Sequence, residues 1–140
     1  MSRLSQRCAR IIRVRSVEHS VAAARMAAAD RRVGELLGVA RRIGDLRTSL
    51  RPELGSTNGQ ILQAMADMQR RLERAECDLA HPIRQAADKR DQASADRLLA
   101  RTKEDGASRL RDKAVVRQEA AAVLRSQADQ PFRQIKRRLP

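Results

Sequence analysis

The chain has 140 residues, with 30 Lys and Arg against 17 Asp and Glu, a net charge of +13, and Phe132 as its one aromatic residue. Leu, Ile, Val and Phe together number 29, about a fifth of the chain, which excludes an ordinary globular core; Ala, Glu, Lys, Leu and Arg supply 74 residues, the composition of long helices and coiled coils. No apolar run approaches the ~18 residues that span a bilayer. The two histidines (His19, His81) and two cysteines (Cys8, Cys77) stand singly, without a metal-ligand set or a nucleophilic triad, so a non-enzymatic protein with no cofactor, no metal and no membrane span is expected.

The first predicted element is a helix over about 3–50. Its apolar residues recur at three and four: Leu4, Cys8, Ile11, Val14, Val17, Val21, Ala24 and Ala28, then, after a slip, Val33, Leu36, Val39 or Ala40, Ile43, Leu46 and Leu50. Five arginines and no acid fall in the first 17 residues, a composition shared with organellar targeting segments, but the helical pattern runs on without a cleavage-like break. With no secretory signal and two distant, unpaired cysteines, the cytoplasm is the expected compartment. Gly34 and Gly38 form a GxxxG, which in a charged helix marks close packing or local weakness.

A loop is predicted over about 51–57, where a proline, two glycines and small polar residues cluster between Arg51 and Gly59. Thr57 with Gln60 has the form of a capping box opening a second helix over about 58–129. One heptad position of that helix reads Met65, Leu72, Leu79, Ala86, Ala93, Ala100, Ala107, Ala114, Ala121, Ala128 and Ile135, eleven apolar residues in succession. Its companion begins as Ile61, Met68 and Ala75 and returns at Leu110 and Leu124. Between them stand Pro82, Lys89, Asp96 and Lys103, which predicts a weakly held, flexible middle. A bend is expected at His81-Pro82, and Pro131 is expected to end the helix before a short basic tail, 130–140.

Two long amphipathic helices joined by a short loop fold back most simply as an all-α antiparallel coiled-coil hairpin, a single domain whose second helix overhangs the first. If the helices pair directly from the loop, facing residue numbers add to about 108 and Leu4 falls near Glu104. Cys77 then lies opposite about Arg31, roughly 35 Å along the hairpin from Cys8, too far for a bridge within one chain.

Charge is unevenly spread. Residues 1–55 carry 12 basic and 5 acidic side chains, 56–106 carry 9 of each, and 107–140 carry 9 and 3. The hairpin brings both basic portions to the end away from the loop: Arg3, Arg7, Arg10, Arg13 and Arg15 from one helix, and Arg109, Arg111, Lys113 and Arg117 from the other. Such an end suits an acidic protein cavity, an acidic membrane surface or nucleic acid. Nucleic acid is the weaker reading, because stacking aromatics and any helix-turn-helix, RRM or zinc pattern are missing.

The long first arm, the break at Gly55-Ser56-Thr57-Asn58-Gly59, Leu62, and the stretch Met68-Gln69-Arg70-Arg71-Leu72-Glu73-Arg74-Ala75 resemble the FliJ/YscO family of flagellar and type III secretion export proteins. The resemblance covers nearly the whole chain. It implies a stalk-like coupling or adaptor subunit of the flagellar or related protein-export apparatus, linking a hexameric export ATPase to the export-gate membrane protein and to export chaperones. It also implies a cytoplasmic location, with peripheral attachment at the inner face of the cell membrane through that apparatus as a variant. By this likeness Arg3, Arg7, Arg10, Arg13, Arg109, Arg111 and Arg117 face the ATPase, and Val39, Leu46, Met68, Leu72, Ala75 and Leu79 face the gate. The chain departs from the family where many members carry tyrosines in helix one: Arg42 and Leu46 stand there, and Met68 replaces an aromatic. The six gate-side residues also fit a seam between the two helices. The alternative reading is a basic coiled coil that binds nucleic acid or scaffolds an assembly.

Overall fold

The computed structural model describes residues 3–51, 55 and 58–137, with side chains described through residue 129. It contains two helices, α1 (Arg3–Ser49) and α2 (Gly59–Arg137), packed antiparallel as a helical hairpin. They fall into two units: a terminal unit of residues 1–21 with 98–140, and a loop unit of residues 22–97.

Both ends of the connection are set by local hydrogen bonds. At the end of α1 the Thr48 hydroxyl donates to the Asp45 carbonyl at 2.9 Å and the Ser49 hydroxyl to the Leu46 carbonyl at 2.9 Å, which also accepts the Leu50 N–H at 3.2 Å. Gly55 has φ of +119°, a backbone state that side chains with a Cβ resist. The N-cap of α2 is Asn58, whose Oδ1 accepts the Ile61 N–H at 2.9 Å. The expected capping box assigned that work to Thr57, which lies outside the described residues. Asn58 takes the role because its side-chain oxygen stands three residues before a helical N–H in need of an acceptor.

In α2 the alanine heptad is the inward line. From Met65 to Ala121 every member is buried or half-buried, and Ala86 and Ala107 are the most buried of the described side chains of the helix. Its companion is not the expected one. Lys89, Asp96 and Lys103 are exposed, and the half-buried positions are one residue further on, at Ile83, Arg90 and Glu104. Beyond Leu79 the seam shifts by one residue, so Lys89, Asp96 and Lys103 leave the interface that a strict repeat would have forced them into, and Ile83, Arg90 and Glu104 take the half-buried places.

In α1 the correction is larger. The inward positions are Ser5, Cys8, Ile12, Arg15 and His19 in the terminal unit, then Ala22, Met26, Ala29, Val33, Leu36, Ala40, Ile43, Arg47 and Leu50 in the loop unit. The alternation of three and four is unbroken, with no slip. Leu4, Ile11, Val14, Val17 and Val21, expected on the inward stripe, are exposed. Keeping phase with Val33 and Leu36 selects the less apolar row, because a slip would interrupt the continuous interlocking that a coiled-coil seam requires.

Cross-helix pairs fix the register in each unit. His19 faces Glu104 in the terminal unit; Met26 faces Arg97 and Arg47 faces Glu76 in the loop unit, and in all three the numbers add to 123. The expected value of 108 is therefore displaced by about two heptads, and Leu4 does not reach Glu104. At 108, Val33 and Leu36 would oppose Ala75 and Leu72. At the observed register they meet Ala86, with Leu79 and Ile83 closing round them, so large side chains of α1 sit over small ones of α2. Within the loop unit the first turns of α2 consequently run past the end of α1 by roughly 20 Å. Within the terminal unit α2 is paired to about residue 120, further than expected.

The bend expected at Pro82 leaves α2 uninterrupted, and the stop expected at Pro131 does not occur. α2 runs through Pro82 and continues through Pro131 to Arg137, since a proline removes only one backbone bond of a long helix. The backbone of 130–137, expected as a tail, is helical. Gly34 and Gly38 have open space where a Cβ would stand, so the GxxxG marks helix weakness and not close packing.

The core is thin. Among the described residues only Ala22, Val33, Leu36, Ala86 and Ala107 are buried, and no large side chain is fully enclosed. Two helices cover one stripe of each other and leave both flanks of the seam to solvent. Cys8 and Cys77 are free, Cys8 half-buried in the terminal unit and Cys77 exposed in the loop unit.

Candidate partner-binding surfaces

The terminal unit gathers the charge. It holds 16 of the 30 basic and 6 of the 17 acidic residues, a net +10 out of +13, leaving +3 for the loop unit with 14 and 11. The seven arginines expected on one basic surface, Arg3, Arg7, Arg10, Arg13, Arg109, Arg111 and Arg117, all belong to this unit and are all exposed. Arg3, Arg7, Arg10 and Arg13 line one shallow open depression with Gln6 and Val14.

Few of these charges are compensated within the unit. Arg111 is paired with Asp112 at 3.1 Å, and Arg15 bridges to Glu18 at 2.8 Å. Among the described residues no carboxylate pairs with Arg3, Arg7, Arg10 or Arg13. At 3.5 residues per turn Arg3, Arg7 and Arg10 share the face of α1 turned away from α2, and their mutual repulsion is relieved only by water, salt or an acidic partner.

His19 and Glu104 lie on the inward side of the same unit. His19 Nδ1 stands 2.8 Å from Glu104 Oε2, both side chains roughly a quarter exposed, and His19 Nε2 is buried without a hydrogen-bond partner. In the loop unit Arg47 spans to Glu73 and Glu76, with its Nε buried and unpartnered. These polar pairs within the seam add little stability but discriminate between registers, since a shift by a heptad separates half-buried polar groups from these partners.

The six gate-side residues all lie in the loop unit and divide into two sets. Val39, Leu46 and Met68 are exposed; Leu72 and Ala75 are half-buried, and Leu79 packs on Val33, Leu36 and Ala86. The first three are available to a partner together with Ile61 and Leu62, which are exposed on the opening turns of α2. Leu79 belongs to the core. Among the described residues no group of three or more His, Cys, Asp and Glu could hold a metal ion, and no helix is long and apolar enough to cross a membrane.

The exposed apolar side chains of α1, Leu4, Ile11, Val14, Val17 and Val21, are not distinguishable from a seam by sequence, because apolar residues at three and four look alike on either side of a helix. Compared with protein families, curated proteins and solved structures, the chain matches none.

Proposed function

We propose that the chain is a non-enzymatic coupling or adaptor subunit of a flagellar or related type III protein-export apparatus, linking its hexameric ATPase to the export gate and the escort chaperones. The observation that carries this reading is the concentration of ten net positive charges in the terminal unit, with no carboxylate among the described residues paired with Arg3, Arg7, Arg10 or Arg13. A surface of that kind steers and holds an acidic protein partner. A hairpin whose apolar side chains are largely uncovered is also consistent with a part that works inside a larger assembly. In this reading Arg109 and Arg117 join the ATPase-facing surface, and Val39, Leu46 and Met68 are the gate-facing side chains. The protein acts in the cytoplasm and reaches the inner face of the cell membrane only through the apparatus.

The test is affinity purification of the tagged chain from its source cells, with and without residues 107–140. Recovery of a hexameric ATPase with the full chain and its loss on truncation support the role. The same charge also favours nucleic acid as a second reading. Recovery of nucleic acid without an ATPase, by binding that falls steeply with salt, replaces the first reading with that one.

A further inference from the structure

On α1 of the terminal unit, Arg3, Arg7, Arg10, Val14, Val17 and Val21 follow one another at intervals of four, three, four, three and four. That is the spacing of a coiled-coil seam, but every one of the six is exposed, Val17 at 63%. At 3.5 residues per turn this row lies about half a turn round the helix from the inward row of Ser5, Cys8, Ile12, Arg15 and His19. α1 thus carries two seams, one occupied by α2 and one open, and the open one is arginine over its first half and valine over its second.

We propose that this outer row docks a third helix, supplied by a partner that carries carboxylates opposite Arg3, Arg7 and Arg10 and small apolar side chains opposite Val14, Val17 and Val21. Charge complementarity chooses this occupant. The three arginines have no carboxylate partner among the described residues, and burying them beside a neighbour is unfavourable unless that neighbour is acidic. A second copy does not meet the requirement. Mated to itself antiparallel, the row sets arginine against valine; mated parallel, it sets arginine against arginine. A bilayer does not fit either, because the arginines occupy the apolar columns themselves, whereas a helix lying in a membrane keeps its charges to the flanks. Nucleic acid would use the arginines and leave the valines uncovered.

The proposal refines the basic surface assigned above to the ATPase and rests on that reading only for location; the docking chemistry is testable without any export component. The probe is a synthetic amphipathic peptide of about three heptads, with alanine or valine at its seam and glutamates placed to face the arginines, titrated onto the full chain. Two peptide controls go with it: one of the same composition with the spacing scrambled, and one with lysine in place of glutamate. The acidic, correctly spaced peptide is expected to bind at least about tenfold more tightly than either control, and more weakly as salt rises. Val17→Asp should abolish that preference. Arg7→Glu with Arg10→Glu should transfer it to the lysine peptide, while circular dichroism stays unchanged because the substituted side chains are exposed. Equal binding of the scrambled peptide, failure of the charge swap, or tighter binding of phosphatidylglycerol vesicles or duplex DNA than of the acidic peptide overturns the proposal. A positive peptide result with no ATPase recovered from cells removes the export role and keeps the docking seam. The reverse result keeps the role and removes the third helix.

Discussion

Val33 and Leu36, each 7% exposed, form with Ala86 at 6% a contiguous buried cluster, three of the five buried residues among those described. Each large side chain withdrawn there contributes roughly 1.5–3 kcal/mol, in a molecule with few other sources of stability. Leu36→Ala is therefore expected to destabilise the chain by about 2–3 kcal/mol in urea titration. Leu4→Ala, at a position 63% exposed, should change it by less than about 0.5 kcal/mol. Equal effects would show that the row containing Leu4 is the true inward one. Gly34 offers a test of opposite sign. No atom lies within 4 Å of its missing Cβ, so Gly34→Ala should raise stability by about 0.5–1 kcal/mol, read as a higher urea midpoint with unchanged slope.

At the scale of the helices, the decisive feature is register. In a background of Cys8→Ser and Cys77→Ser, the pair His19→Cys with Glu104→Cys is expected to cross-link within one chain under mild oxidation. His19→Cys with Lys89→Cys, the pair that a sum of 108 would place together, should not. Cross-linking of the second pair alone would restore the direct pairing from the loop.

This contrast also shows how far the sequence could be read. The inward line of α2 was visible because an alanine at every seventh position from Ala86 to Ala121 has no competitor on that helix. The inward line of α1 was hidden, because the more apolar side chains, Leu4, Ile11, Val14, Val17 and Val21, are exposed, and the inner row includes Arg15, His19 and Arg47. Hydrophobicity alone picks the wrong row. The choice depends on phase with Val33 and Leu36 and on cross-helix partners such as Glu104, which appear only once α2 is in place. The cap was missed for a similar reason: Thr57 and Asn58 are both good acceptors, and the backbone decides between them. The basic site was legible from charge runs alone. That its first three arginines continue a valine seam was not, since it follows only from knowing which face α2 covers.

For the molecule as a whole, charge is distributed asymmetrically: ten net positive charges in the terminal unit against three in the loop unit, which exposes Val39, Leu46 and Met68. The terminal unit exposes apolar side chains beside its charge, among them Val14, Val17 and Val21, whereas the loop unit exposes its own with little net charge; two surfaces that differ in this way suit a chain that joins two different neighbours. In the proposed role the first of these neighbours is held by Arg3, Arg7, Arg10 and Arg13, which have no carboxylate partner among the described residues. The most direct measurement is the amount of export ATPase recovered from the source cells with the tagged chain, compared between the unaltered protein, a variant with Arg3, Arg7, Arg10 and Arg13 all changed to Glu, and a Val39→Asp, Leu46→Asp variant. Recovery is expected to collapse in the first variant and persist in the second. If no ATPase accompanies the unaltered chain, or if the charge-reversed chain brings down as much as the unaltered one, the coupling role is contradicted.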